Sequence, residues 1–171
     1  MKKLSTKRLC RAGVIAALYV VLTYAFSSFA FGPFQVRPAE ALCLLPLLFP
    51  EAIPALFVGC ALSNILSAYT MYDVIFGSLA SLIAGYGTYF FGKIIKNTPL
   101  KLFFGGLFPV LINAIVIPFI IVFLCADTMG YASVWTAYFI NVAIFLGTQT
   151  VWVYGLGIPL YLSIRKIKKH S

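Results

Sequence analysis

The chain has 171 residues, of which 62% are hydrophobic and only 10% are charged, and its mean hydropathy is +1.00. Soluble globular domains carry about 25% charged residues, so the composition excludes a soluble domain and indicates a multi-pass membrane protein. The formal net charge of +9 does not indicate nucleic-acid binding, because the basic residues lie at the chain ends and one internal turn and form no patch.

Hydropathy predicts an all-α membrane protein with six transmembrane helices in a single bundle, one domain over residues 1–171. The second span is short and is expected to be tilted or partly inserted, and the last is expected to kink near Gly155, Gly157 and Pro159. The prolines of "FPEAIP" at 49–54 separate the second and third spans. The spans are predicted at about 12–31, 39–49, 52–68, 73–92, 102–125 and 133–164.

Six spans place both termini on one side of the membrane, and the positive-inside rule assigns that side to the cytoplasm. The N-terminal residues, the turn between the fourth and fifth spans and the C-terminal tail carry every Lys and Arg except Arg37. The basic, then apolar N-terminus ending in "SSFA" also fits a cleavable signal peptide. We favour a retained first span, because the apolar run is rather long and the topology needs it.

Small residues at four-residue spacing recur along the spans, where they let helix backbones pack closely. Most are expected to pack inside the bundle. Ala12 and Ala16 are considered separately, because Gly13 and Ala17 lie beside them at the basic end of the first span. This smooth face is predicted to be able to seat another subunit.

The sequence carries no signature of catalysis, of a metal site or of a bound cofactor. The four cysteines are widely spaced and the single histidine, His170, lies in the tail. The stretch "GTYFFGK" at 87–93 matches part of a phosphate-binding loop, but Ile94 stands where Ser or Thr must hold magnesium. We therefore predict that the protein is not an enzyme and that any ATP hydrolysis comes from a partner.

The acidic residues are assigned to different connections between the spans. Glu51 is expected at the N-terminus of the third span on the cytoplasmic side, where a negative charge is favourable. Asp73 begins the fourth span outside and either caps it or binds a ligand. Asp127 is expected to be solvated in an outer loop, so no acid is predicted at mid-depth in the membrane.

The stretch "FGPFQVRPAEAL" at 31–42 places Arg37 and Glu40 in strongly apolar surroundings. Pro38 suits the first position of the second helix, which puts Arg37 just before it and Glu40 in its first turn, within reach of each other. One interpretation is a salt bridge with a helix cap in an outer loop. The other is a ligand-binding loop folded over the outward mouth of the bundle, to which Gln35 adds an amide.

Polar and aromatic residues within or near the spans point to the same outward mouth. Each amide alone is commonly an interhelical hydrogen bond, and each aromatic is also expected in an interfacial belt. Together they are predicted to line one outward-facing pocket. The residues are Asn64, Asn113, Asn141, Tyr72, Trp135 and Tyr138.

The segment "VRPAEAL", followed by "LPLLFPEAIPALFVGCALSN" and "DVIFGSLASLIAGY", resembles the QueT family of substrate-binding (S) components of energy-coupling factor transporters. The resemblance implies a subunit that works with a transmembrane coupling protein and two ATPase subunits. It implies capture of a queuosine precursor, a 7-deazaguanine such as preQ1, outside the cell, and delivery inward by toppling in the membrane. The pair Ala12 and Ala16 matches the AxxxA docking signature of S components.

The implied ligand suits the candidate residues. A guanine-like edge has two adjacent N–H donors that the carboxylate of Glu40 or Asp73 would accept, while an Arg or amide would meet its carbonyl oxygen. An aminomethyl ammonium would pair with Asp73. The alternatives are another vitamin-like or nucleobase ligand, a scaffold or sensor without a ligand, and a stand-alone carrier or channel. A carrier normally needs an intramembrane acid, and none is predicted.

Overall fold

A computed structural model describes residues 5–30, 36–67, 70–128 and 130–170 of the chain. The described residues are mostly helical and contain no strand, which confirms the all-α class. Four of their helices are long and apolar enough to cross a membrane, and two further apolar helices are shorter. In chain order the six are α1 (Thr6–Ala25), a 3-10 helix (Pro38–Leu47), α2 (Ala52–Ser63), α3 (Asp73–Ile94), α4 (Thr98–Leu124) and α5 (Val134–Lys168).

The predicted spans correspond to these helices, with different ends. The helix α1 begins at Thr6 rather than near residue 12 and ends at Ala25. A hydropathy window stops at the basic residues, whereas the backbone remains helical through them because their side chains reach solvent. Short helical turns connect the main elements at Ser27–Ala30, Asn64–Leu66 and Thr70–Tyr72.

The 3-10 helix lies in the centre of the bundle and packs against α1, α3, α4 and α5. All its residues from Pro38 to Pro46 are buried. Its close fit is clearest at Gly157 of α5, where an added Cβ would lie 2.9 Å from the Ala41 carbonyl oxygen. A 3-10 helix rises about 2 Å per residue, so this short segment runs a considerable distance through the interior.

Three of the long helices contain a π-helical turn, at Asp73–Gly77 in α3, Ile120–Leu124 in α4 and Val151–Leu156 in α5. In α4 the turn follows Pro118, which has no N–H to donate to the preceding helical turn. In α5 the turn adjoins the glycines and proline where the sequence predicts a kink. Such turns interrupt regular helical bonding and are frequent at functional sites.

Basic residues from both ends of the chain meet at one end of the bundle. An Arg11 guanidinium nitrogen lies 2.6 Å from a Glu51 carboxylate oxygen, and Arg165 donates a hydrogen bond to the Thr98 hydroxyl at 3.2 Å. Glu51 stands at the N-terminus of α2 as predicted, but its side chain makes this ion pair and no capping bond. The first turns of α1 and α4 and the last turns of α5 therefore share one end, called here the basic end.

Candidate functional site

Glu40 lies inside the bundle, where donors from three helical elements hold its carboxylate. Its Oε1 accepts a hydrogen bond from the Tyr19 hydroxyl of α1 at 2.8 Å. Its Oε2 accepts from Asn113 Nδ2 of α4 at 3.0 Å and from the Cys43 thiol of its own helix at 3.1 Å. Only 3% of Glu40 is exposed, so the carboxylate is a fixed part of the interior.

This position corrects two predictions. Glu40 does not belong to a loop over the mouth of the bundle, and the prediction of no acid at mid-depth is wrong, since Asn113 lies in the middle third of α4. The sequence predicts that the second span begins near residue 39 at the outer surface, with Glu40 in its first turn. In the structure the 3-10 helix begins beside the middle of α4, and its first turn is already buried.

Arg37 is also buried, with 5% of its surface exposed, and its Nε donates to the Ala30 carbonyl at 3.3 Å. Arg37 is the residue before the first turn of the 3-10 helix and Pro38 takes the first position, both as predicted. Because opposite charges offset each other's burial cost, an Arg and a Glu inside one bundle are mutually supportive.

Arg37 and Glu40 line a common cavity of about 10 Å³, which is close to the volume that one water molecule needs. Asn113 bridges part of the wall, because its Nδ2 also lies 3.4 Å from Gln149 Oε1. The cavity thus brings together one carboxylate, one guanidinium and two carboxamides. Its described lining is Arg37, Glu40, Cys60, Gly77, Ser81, Asn113, Ile117, Phe145 and Gln149.

A second polar group adjoins this cavity at Gly77. Asn64 Nδ2 donates to the Asp73 backbone carbonyl at 2.9 Å, and the Ser67 hydroxyl donates to the Asp73 carboxylate. A Cβ on Gly77 would lie 2.9 Å from Asn64 Nδ2, so a larger residue there would require the Asn64 side chain to shift. Asp73 is 1% exposed, which corrects the expectation of a cap at the outer surface.

The second polar group contains oxygens that lack a donor. Asp73 Oδ1 and Asn64 Oδ1 are buried and have no hydrogen-bond partner among the residues that the structure describes. Asn141 is similar, since its Nδ2 donates to the Ala137 carbonyl at 2.8 Å while its buried Oδ1 has no partner in the same described ranges. Buried unsatisfied acceptors are costly in a native protein, and they indicate where a donor group would be stabilised.

Asn141 lies on the cavity-facing side of α5. Phe145 and Gln149, which line the cavity, follow it at four-residue intervals, and all three are buried. Residues four apart share one face of a helix. The structure thus places Asn113 in the cavity wall and Asn64 beside it at Gly77. Asn141 lies on the same face of α5 as two of the lining residues.

The predicted aromatic wall is not brought to this cavity. Tyr72 and Trp135 are 43% and 62% exposed, and neither is among the described residues that line it. Tyr138 is partly buried and packs its ring against Phe123 at 5.6 Å between centroids. Gln35 lies outside the described residues.

Ala12 and Ala16 are only partly available on the surface of α1. Both pack against a core cluster that includes Tyr19, and a Cβ on Gly59 would lie 3.2 Å from the Ala16 carbonyl oxygen. Gly13 and Ala17 are more exposed. The smooth strip of α1 therefore has an inward edge, formed by the predicted pair, and an outward edge beside it.

Sequence reasoning missed Gln149 and the role of Tyr19 in holding Glu40. Gln149 had a usable signal, since it is an amide within an apolar span, four residues after Phe145 and eight after Asn141. No sequence signal marked the remaining site residues, because small and aromatic residues are common on any packed transmembrane helix. These residues are Tyr19, Cys60, Ser81 and Phe145.

The site is suited to binding a flat polar molecule by hydrogen bonds. The carboxylate accepts N–H donors, while the guanidinium and the carboxamides donate to carbonyl oxygens. Within the described parts of the chain, no group of three His, Cys, Asp or Glu residues could hold a metal ion.

Comparisons with known proteins agree with this chemistry. The sequence profile of the QueT transporter family matches residues 9–166. The Lactococcus lactis subsp. cremoris (strain MG1363) protein "Queuosine precursor transporter QueT" is 39% identical over 85 residues, which cover 48% of this chain and 50% of that relative. No solved structure matches the chain. Both matches are to transporters, which confirms the predictions of a multi-pass membrane protein that is not an enzyme.

Proposed function

The chain belongs to the QueT transporter family, and from this premise we propose that it is the substrate-capture (S) subunit of an energy-coupling factor importer for a queuosine precursor. The ligand is a 7-deazaguanine such as preQ1. A relative is named a queuosine precursor transporter, and the chain matches 50% of the length of that relative. The observation that carries the proposal is the buried Glu40 carboxylate beside two carboxamides in one cavity.

Glu40 is the group that would accept the two adjacent N–H donors of the deazaguanine ring. A carboxylate matches such a pair in charge and geometry. Asn113 already donates to Glu40 at 3.0 Å, so its amide lies beside the carboxylate that would meet the ring. Gln149, Asn113 or Arg37 would donate to the ring carbonyl. This arrangement favours guanine-like rings, because an adenine-like ring carries an amino donor in place of that carbonyl acceptor.

Asp73 is the group that would hold the aminomethyl ammonium. Its buried Oδ1 has no partner among the described residues, and the adjoining Asn64 supplies a second free acceptor oxygen. An ammonium has three N–H donors and would satisfy both. In this arrangement Glu40 binds the ring edge of the ligand and Asp73 binds its aminomethyl group.

Binding requires the bundle to open, because a cavity of about 10 Å³ holds one water and a bicyclic base needs many times more space. We place the opening at the π-helical turn Asp73–Gly77, which separates the two polar groups. A π turn lacks regular helical bonds and is more easily rearranged than an α-helix.

We propose a single domain of six spans over residues 1–171 with the basic end in the cytoplasm, as the positive-inside rule requires. Asp73 lies at the N-terminus of α3 and Asn141 near the N-terminus of α5. Both are at the end away from the basic end, and so face outside. The coupling subunit and two ATPase subunits supply the energy, and toppling carries the site inward. The exposed Gly13 and Ala17, together with Ala12 and Ala16, form the docking strip for the coupling subunit.

Calorimetric titration of the purified protein tests the ligand. We expect saturable binding of preQ1 and none of riboflavin or thiamine. Uptake of labelled preQ1 by cells tests the transport role and is expected only when the coupling and ATPase subunits are co-expressed. Binding of riboflavin or thiamine in place of preQ1 would contradict the ligand class.

A stand-alone secondary carrier is the second candidate, and the structure supplies an observation in its favour. Glu40 is an acid inside the membrane-spanning bundle, and intramembrane acids commonly mark proton pathways. This function predicts preQ1 uptake without the ATPase subunits and its loss when a protonophore collapses the proton gradient. The importer predicts the opposite result in both experiments: no uptake without the ATPase subunits, and uptake that persists in the presence of the protonophore.

A further inference from the structure

A groove of about 280 Å³ lies at the basic end, away from the candidate site. It is formed by the first turns of α1, the turn after the 3-10 helix and the last turns of α5. Cationic and apolar residues share its walls, and none of the described residues that line it is acidic. The described lining is Lys7, Arg11, Phe49, Ile164, Ile167 and Lys168.

Two of the cations are fixed over one aromatic ring. The Arg11 guanidinium lies 4.2 Å and the Lys168 ammonium 4.8 Å from the centroid of Phe49. Lys168 also donates to the Leu48 carbonyl at 3.0 Å. The positive charge at this position is therefore held by contacts within the bundle and is not spread over freely moving side chains.

The charge in the groove is only partly compensated. Glu51 pairs with Arg11, whereas Lys7 and Lys168 of the lining form no ion pair with an acid among the residues that the structure describes. Lys7 is four residues before Arg11 and thus on the same face of α1. Two ammonium groups, on α1 and α5, border one space.

The other wall is apolar and continues along α5 toward the middle of that helix. Ile164 is one helical turn before Lys168 on α5, and Ile167 remains 68% exposed. A soluble anion would gain nothing from this wall. An amphiphile with a negative head and a hydrocarbon chain would use both walls at once.

We propose that this groove binds the headgroup of an anionic phospholipid, with the phosphate between Lys7 and Lys168 and an acyl chain along Ile164 and Ile167. Basic pockets between transmembrane helices on the cytoplasmic side are suited to such headgroups. The inference needs only a membrane-embedded bundle and does not depend on the identity of the transported ligand.

Native mass spectrometry of the purified protein tests the site, with phosphatidylglycerol and phosphatidylcholine added in equal amounts. We expect preferential retention of phosphatidylglycerol. The double variant Lys7→Gln/Lys168→Gln should weaken this retention by about 25-fold, since each cation near an anionic lipid contributes roughly fivefold. The matched control Arg8→Gln/Lys166→Gln removes two charges at the same end but outside the lining and should retain the lipid.

Three results would overturn the proposal. Equal retention of the two lipids by the wild type would exclude an anionic-lipid site. Equal loss of phosphatidylglycerol from the two double variants would show that general surface charge, and not the groove, retains the lipid. Displacement of the lipid by millimolar glycerol phosphate would show a site for soluble anions. Ile167→Glu, which places a negative charge on the exposed apolar wall, offers a second variant and is expected to abolish the preference while the melting temperature stays close to that of the wild type.

Discussion

Replacing Glu40 by Gln tests the recognition chemistry with little change in size. The substitution removes the charge and converts one acceptor oxygen into an NH₂ donor. In the wild type, Oε1 faces the Tyr19 hydroxyl, while Oε2 faces Asn113 and Cys43. The new NH₂ is best placed toward Tyr19, because a hydroxyl can rotate to accept. The free energy of unfolding should therefore fall by about 1–3 kcal/mol, the cost of a disturbed buried hydrogen bond, because the buried Arg37 also loses a nearby opposite charge.

The ligand has no such freedom, because its two ring donors need two acceptors. Gln offers one, so a hydrogen bond to a charged group, worth about 1.5–3 kcal/mol, is lost. At about 1.4 kcal/mol for each tenfold change in Kd, preQ1 should bind roughly 10- to 100-fold more weakly. Calorimetric titration measures this change, and thermal unfolding checks that the variant is folded.

Glu51→Gln is the matched control, since it neutralises another buried acid that lies at the basic end of the bundle, away from the cavity. It breaks the ion pair with Arg11 and should leave the Kd for preQ1 within about twofold of the wild type, a change far below 1.4 kcal/mol. A folded Glu40→Gln variant with wild-type affinity would refute the assignment and move it to Asp73. Equal weakening by both variants would indicate a global effect on the bundle.

Further predictions concern the second acid, the central packing and the docking strip. Asp73→Asn should weaken preQ1 binding about tenfold or more but spare the 7-cyano analogue, which has no ammonium; equal loss for both ligands would remove Asp73 from that role. Gly157→Ala should lower the free energy of unfolding by about 1–3 kcal/mol, because a Cβ there would lie 2.9 Å from a carbonyl oxygen of the 3-10 helix. Gly147→Ala has nothing within 4 Å of the added Cβ and should be neutral or slightly stabilising, so similar melting temperatures for the two variants would contradict the packing. Gly13→Leu/Ala17→Leu should prevent co-purification of the coupling and ATPase subunits without changing the Kd for preQ1, and unchanged co-purification would place the docking surface elsewhere.

The helical class and the shared basic end could be predicted because both follow from transfer energies and charge. Apolar residues in long runs must form helices in a bilayer, and the contact of Arg165 with Thr98 joins segments that the positive-inside rule had placed on one side. The depth of the 3-10 helix could not be predicted. A ten-residue apolar segment has the same hydropathy whether it borders lipid or is enclosed by other helices, and only packing against α1, α3, α4 and α5 decides this.

The candidate site was predictable where its residues are unusual for a membrane span. Asn113 and Asn141 stand out as amides in apolar helices; the structure brings Asn113 to Glu40 and places Asn141 on the same face of α5 as the cavity-lining Phe145 and Gln149. Trp135 and Tyr72 could not be assigned in this way, because aromatics near helix ends occur equally in interfacial belts and here are exposed. Tyr19 is an ordinary span residue until the structure places its hydroxyl 2.8 Å from Glu40.

The most direct test of the account compares preQ1 with its analogue lacking the 2-amino group, in the wild type and in Glu40→Gln. This double-mutant cycle isolates the energy that couples the carboxylate to the ring donor. We expect the wild type to prefer preQ1 by about tenfold or more, as the loss of a charged hydrogen bond requires, and the variant to bind both ligands equally. A variant that keeps the full wild-type preference would contradict the claim that Glu40 reads the deazaguanine edge.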